Sequence, residues 1–203
     1  MDAPKSDLLF APSFKAFALR SGKLSQVASS EVFARPSCAS VGVFDGVHKG
    51  HRKVISALLS ESGKRNAVSC VITFSRNPKD SFNLQNQFEL MGAEEKMEAV
   101  LSLGADYVLV LDFNDRIKSM SGRDFISWLF ARGVECLVAG MDFKCGNPSD
   151  YMAADDIARE FPGKIVIVDD VMCDNRKISS TFLRNMIRSK GGLSQEDRMK
   201  YLT

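Results

Sequence analysis

The sequence predicts an α/β fold, a doubly wound parallel sheet with helices on both faces. Three observations predict it. Strand-like and helix-like segments alternate from residue 38 onward. The strand-like segments are near-continuous apolar runs rather than apolar–polar alternations, which marks strands covered on both faces. A glycine-rich turn joins the first of these strands directly to the first helix, and in such sheets ligands bind where strands end at their carboxyl edge.

Taken in order, residues 1–37 are the least periodic part of the chain, and Ser25-Gln26-Val27-Ala28-Ser29-Ser30 is mostly small or polar. Their organisation is uncertain and they carry no functional reading. Residues 38–203 are expected to form one domain. Cys38-Ala39-Ser40-Val41 reads as a strand and 53–59 as a helix. The run 67–74 is β-branched and nearly all apolar, and 106–111, 136–139 and 164–168 repeat that character. Between them, 93–103 places Met97, Val100 and Leu101 on one helical face. Residues 121–132 do the same with Phe125, Trp128 and Leu129, with Ser121 as N-cap. Residues 151–161, 180–189 and 193–201 read as further helices, and no internal repeat or low-complexity tract interrupts the series.

The chain of 203 residues, 45% apolar, is long enough for one substantial core. Its formal charge of +2 argues against a nucleic-acid partner held by bulk electrostatics, so positive potential is expected to be local. Cys38, Cys70, Cys136, Cys145 and Cys173 are scattered, odd in number and without a Cys-x-x-Cys pair. They read as reduced core thiols rather than a metal cluster. The N-terminus lacks a signal-peptide pattern. No apolar run reaches the ~20 residues that span a membrane, so a cytoplasmic protein with no membrane partner is expected. No motif speaks to oligomeric state.

Two stretches carry chemistry. In the first, Gly42-Val43-Phe44-Asp45-Gly46-Val47-His48-Lys49-Gly50-His51 links strand to helix and holds both histidines of the chain. A helix N-terminus presents unpaired N–H groups and partial positive charge, glycine lets backbone approach a phosphate, and histidine adds donors. In the second, Lys177-Ile178-Ser179-Ser180-Thr181-Phe182-Leu183-Arg184 puts three hydroxyls at a helix start. A cap needs one of them. The remainder with Arg184 suits a polyphosphate, while ordinary capping with a solvated Arg184 is the competing reading.

The first stretch resembles the nucleotide-binding signature of the prokaryotic FAD synthetases, in their FMN adenylyltransferase module. His-x-Gly-His alone marks the wider nucleotidyltransferase superfamily. Ile-Ser-Ser-Thr-x-x-Arg resembles that superfamily's second signature. The resemblance implies a Rossmann-like nucleotidyltransferase fold and transfer of AMP from ATP to FMN, giving FAD and pyrophosphate. By position it implies catalytic roles for His48, His51 and Arg184, and ATP contacts from Gly42, Phe44, Asp45, Gly46, Gly50, Lys177, Ser179, Ser180 and Thr181. Arg184 is expected to project toward the β and γ phosphates. Mg²⁺ is expected to arrive with ATP, with no dedicated protein ligands.

Two further patches match with changes. Thr73-Phe74-Ser75-Arg76-Asn77-Pro78 resembles Thr-Phe-x-Pro-His-Pro, and Gly140-Met141-Asp142-Phe143-Lys144-Cys145-Gly146 resembles Gly-x-Asp-Phe-x-Phe-Gly. The resemblance implies flavin contacts from Phe74, Asn77, Asp142 and Phe143; core packing is the plainer reading of the two phenylalanines. Cys145 stands where the family has a second Phe, Phe182 stands where it often has Arg, and the loop Asn147-Pro148-Ser149-Asp150 is shorter than the family's. Family members continue into a riboflavin kinase barrel, for which no run of short strands remains here, so kinase activity is expected to be absent. Two alternatives stay open: a non-catalytic or repurposed flavin or nucleotide binder, and an adenylyltransferase with another acceptor.

Overall fold

A computed structural model of the chain describes residues 12–75 and 88–202. A seven-stranded sheet forms its centre, in the order β2-β1-β5-β4-β3-β6-β9. The parallel part comprises β3 (Ser37–Val41), β4 (Val68–Phe74), β5 (Tyr107–Leu111), β6 (Val134–Gly140) and β9 (Ile165–Val168). From β3 the chain winds outward through β4 to β5, then returns to β6 and winds the other way to β9. The reversal beside β3 is the switch point at which a crevice opens.

The doubly wound expectation is met, and packing explains the continuous apolar runs. On one face, Ile126 and Leu129 of α5 (Gly122–Ala131) and Ile157 of α6 (Ala154–Glu160) meet Ile72, Leu109 and Leu137 of the sheet. On the other, Ile55 and Leu58 of α2 (Lys49–Arg65) and Met97 and Val100 of α3 (Ala93–Ser102) meet Cys38, Val71 and Val138. Successive residues of one strand thus enter opposite cores, and β3 is buried along its whole length. Ser121 caps α5 as expected, accepting from the Asp124 N–H at 3.0 Å.

Two regions are organised differently from the sequence reading. Residues 14–27 supply two more strands, β1 (Phe14–Arg20) and β2 (Lys23–Val27), with the short helix α1 (Ser29–Val32) after them. β1 lies antiparallel on β5 and β2 antiparallel on β1, so the N-terminal segment extends the sheet. Only Ala16 and Ala18 of β1 are buried, so small side chains carry an alternation that a search for large apolar residues misses. The helix expected over 151–161 begins only at Ala154, because β7 (Lys144–Asn147) and β8 (Asp150–Ala153) form a hairpin. Asn147 Oδ1 closes its turn by accepting from the Ser149 and Asp150 N–H groups, both at 2.9 Å. A short helix, α4 (Asp115–Ser119), precedes α5. A second small hairpin, β10 (Met172–Cys173) and β11 (Arg176–Lys177), leads into α7 (Ser180–Lys190) and α8 (Gln195–Tyr201).

The β7–β8 hairpin sits against the first turn of α5 with no space between backbones. A Cβ on Gly146, whose φ is +100°, would strike the Gly122 backbone and come 2.7 Å from the Asp150 carbonyl oxygen. Gly191, at φ +74°, has nothing within 4 Å. Urea unfolding is expected to show Gly191→Ala losing about 1 kcal/mol, the strain of a left-handed L-residue, and Gly146→Ala losing about 2 kcal/mol or more because overpacking is added. Equal losses would mean that the hairpin yields freely.

Candidate active site

At the carboxyl ends of β3, β6 and β9 lies a polar cleft of about 270 Å³. Its floor is the turn after β3. Phe44 and Val47 hold positive φ values of 52° and 36°, and both side chains are buried in the core beneath. Their burial fixes a backbone that these residue types seldom adopt. Gly42 N–H donates to the Ile72 carbonyl at 3.0 Å and the Thr73 hydroxyl to the Val43 carbonyl at 3.1 Å, tying the turn to β4.

His48 is the N-cap of α2, its Nδ1 accepting the His51 N–H at 3.3 Å. The proton of the neutral ring is thereby assigned to Nε2, which remains a donor. A Cβ on Gly50 would lie 3.1 Å from His48 Cε1 and Nδ1, so the glycine between the histidines leaves room for the ring. The two imidazoles stack with centroids 3.6 Å apart. His51 lines the cleft while its Nδ1 is sealed without a partner. Both rings are held neutral. Burial, then the nearby Lys177 ammonium, pushes His48 down to about 4. Burial, then His48 and Lys96, pushes His51 well below the usual histidine range.

A second helix, α7, starts at the same cleft. Its three hydroxyls divide the work: Ser179 caps the helix through the Phe182 N–H at 3.1 Å, and Ser180 donates to the Asp45 carbonyl at 2.9 Å. Thr181 lines the cleft and is exposed. Neither α2 nor α7 has an acidic residue in its first turn, whereas α1, α3, α4, α5, α6 and α8 all do. Where the other helices set their own carboxylates against their N-terminal dipoles, these two do not.

Beside the polar cleft is an apolar one of about 350 Å³, with Phe74, Phe113, Ile117, Phe125, Phe143 and Cys145 among its walls. Phe74 and Phe113 meet edge to face at 5.6 Å. The two clefts share Val41, Gly42, Val43 and Phe143.

Comparison with known proteins agrees with this arrangement. The family model described as FAD synthetase matches residues 30–182. The chain belongs to the FAD synthetase family. A bifunctional riboflavin kinase/FMN adenylyltransferase from Listeria monocytogenes is 32% identical over 165 residues, covering 79% of this chain and 52% of that protein. A protein of the same description from Escherichia coli (strain K12) is 30% identical over 153 residues, covering 73% of this chain and 49% of that protein. The chain thus spans about half the length of these relatives. The crystal structure of a macrolide-efflux protein from Streptococcus pneumoniae superposes with a TM-score of 0.66 at 28% identity, over 75% of this chain and 52% of that one.

In this FAD synthetase family member, the residues singled out in the sequence converge, with three refinements. Gly42, Phe44, Asp45, His48, Gly50, His51, Lys177, Ser179, Ser180, Thr181 and Arg184 all line the polar cleft; Gly46 lies in the same turn, packed under Leu90. Arg184, expected to project toward phosphate, ion-pairs with Asp45 at the cleft, both side chains only 5–6% exposed. Its Nε also donates to the Phe88 carbonyl at 3.0 Å, and Asp45 further accepts the Leu90 and Met91 N–H groups. The solvated Arg184 of the capping alternative is therefore not what the chain builds. Asp142, grouped with the flavin contacts, stands in the polar cleft and pairs with Lys177, while Phe74 and Phe143 do line the apolar one. Asn77 lies outside the described residues. Sequence reasoning missed Phe113, Ile117 and Met120 of the apolar cleft, and the buried Lys96, whose pKa is lowered by burial against the opposing pull of Asp45 and Glu89. A lysine beside Met97 on the apolar face of α3 was the available signal for the last.

Two measurements check this electrostatics. Arg184→Ala is expected to remove about 3–5 kcal/mol of unfolding free energy, because it leaves the Asp45 carboxylate buried without its cation; a loss below 1 kcal/mol in urea would show the pair to be solvated. The histidines set the second. A histidine whose folded pKa is depressed is neutral in the native chain and protonated in the unfolded one throughout the window from pH 6.5 down to about 4. Stability is therefore present above that window and lost as pH falls through it. From pH 7.5 to pH 5, His48 alone is expected to account for about 2 kcal/mol. His48→Gln, which stays neutral, is expected to flatten the profile, and a variant with the parent slope would place the titration elsewhere.

Proposed function

We propose that the chain transfers the adenylyl group of ATP to FMN, forming FAD and releasing pyrophosphate. The observation that carries this reading is the junction of two unlike clefts over Val41-Gly42-Val43. One offers two open helix N-termini and suits a triphosphate; the other offers aromatic walls and suits a flavin ring. An FMN with its ring in the second would present its phosphate at the edge of the first. There a phosphate oxygen of FMN attacks the α-phosphorus of ATP, the new P–O bond forms, and the bond to pyrophosphate breaks.

Transfer of this kind depends on positioning and on neutralising charge. His48, with Nε2–H as donor, and His51 bind phosphate oxygens; neither acts as a nucleophile. Both act as neutral rings, each with one N–H to offer. Among the described residues no group of three histidine, cysteine, aspartate or glutamate side chains converges to hold a metal. On this reading Mg²⁺ would enter with ATP, held by phosphate oxygens and water. The five thiols are all free, in keeping with a reducing cytoplasm.

Incubation of the chain with ATP, Mg²⁺ and FMN is expected to yield FAD and pyrophosphate by chromatography. His51→Ala is expected to lower turnover roughly a hundredfold, as for loss of one preorganised donor, with an unchanged circular dichroism spectrum. Binding of ATP and FMN without FAD would favour a flavin or nucleotide binder, and adenylylation of another compound would replace FMN alone.

A further inference from the structure

For a cleft read as a triphosphate site, the polar one has an unexpected charge. Among the described residues its lining carries four carboxylates, Asp45, Asp142, Asp169 and Asp170, against two cations, Lys177 and Arg184. Arg184 is committed to Asp45. Lys177, on β11 two residues before the α7 cap, is committed twice: its Nζ lies 2.6 Å from Asp142 Oδ2 and 2.7 Å from Asp170 Oδ1. Asp142 comes from the loop after β6 and Asp170 from the loop after β9, so the pairs draw three segments together across the cleft. Lys53 of α2 adds a fourth tie, its Nζ donating to the Asp169 carbonyl at 2.9 Å. The histidines bring no charge of their own. What attracts an anion here is backbone: the first turns of α2 and α7.

We propose that Asp142 and Asp170, by holding Lys177 between them, make this cleft select the magnesium-complexed triphosphate over the free one. The inference rests on the ATP reading above. A free triphosphate meets carboxylates at close range; Lys177 can offer it a third N–H, but to draw the ammonium fully to itself it must displace them, which leaves two bare carboxylates beside the phosphates. The magnesium complex carries two fewer negative charges. It also presents a cation to the carboxylates that Lys177 releases. The two forms of the nucleotide therefore differ in how strongly Asp142 and Asp170 oppose them, which is the difference in affinity that constitutes specificity.

Titration calorimetry of ATP with the chain, in excess Mg²⁺ and in a metal chelator, tests this. Wild-type chain is expected to bind the magnesium complex more tightly. The double variant Asp142→Asn with Asp170→Asn is expected to bind free ATP about tenfold more tightly or better, since each lost carboxylate acts over a few ångströms in a partly solvated cleft. The preference for the magnesium form should shrink by a similar factor. The Asp142 and Asp170 side chains are 73% and 33% exposed, so the substitutions empty no core. Should the double variant fail to fold, Asp142→Asn alone carries the same readout. A variant whose ratio of the two affinities is unchanged or larger overturns the proposal while leaving ATP as the ligand. A wild-type chain that binds neither form overturns the ATP reading itself, and this inference with it.

Discussion

The buried ion pair between Asp45 and Arg184 is the constraint on which the cleft depends. Asp45 belongs to the turn after β3 and Arg184 to α7, 139 residues later. A carboxylate and a guanidinium with almost no solvent access are each tolerable only because the other is present and because backbone groups satisfy what remains. Asp45 accepts the Leu90 and Met91 N–H groups, and Arg184 donates to the Phe88 carbonyl. The Ser180 hydroxyl adds a bond to the Asp45 carbonyl. The turn, the second helix and the segment leading into α3 are therefore locked as one unit, and the two helix N-termini are held facing the same space.

That lock changes how the site handles charge. Among the described residues the two cations of its lining are paired, Arg184 with Asp45 and Lys177 with Asp142 and Asp170. Burial keeps the stacked histidines neutral. Positive potential in the cleft then comes from helix dipoles and N–H groups, which are fixed by the fold and would need no reorganisation for an anion. The absence of acidic residues from the first turns of α2 and α7 is what keeps those groups available. The apolar cleft next door obeys a different rule. It gathers aromatic side chains from β4, α5 and the loops around α4 and β7 into one wall, and it meets the polar cleft along Val41-Gly42-Val43. A polar and an apolar surface thus meet at one seam.

By itself the sequence determined what depends on neighbours along the chain. The five parallel strands were legible because burial on both faces demands unbroken apolar runs, and Ser121 because a cap bonds within its own first turn. The Gly-Val-Phe-Asp-Gly-Val-His-x-Gly-His turn was legible because residue type and spacing are the mechanism: His48 bonds His51 three residues on, and Gly50 makes space for the ring between them. Only the tertiary structure decided what depends on residues far apart. β1 is a strand because β5 pairs with it, and the four-residue strands β7 and β8 because they pair with each other; neither has an apolar pattern strong enough to show. Arg184 meets the Asp45 carboxylate because folding brings the turn after β3 beneath α7. Phe113, Ile117 and Met120 line a cleft because the segment that holds α4 packs beside Phe74 and Phe143. A pattern of residue types records local bonding and face-to-face burial, but the choice of partner for a buried charge is made only when the chain closes on itself.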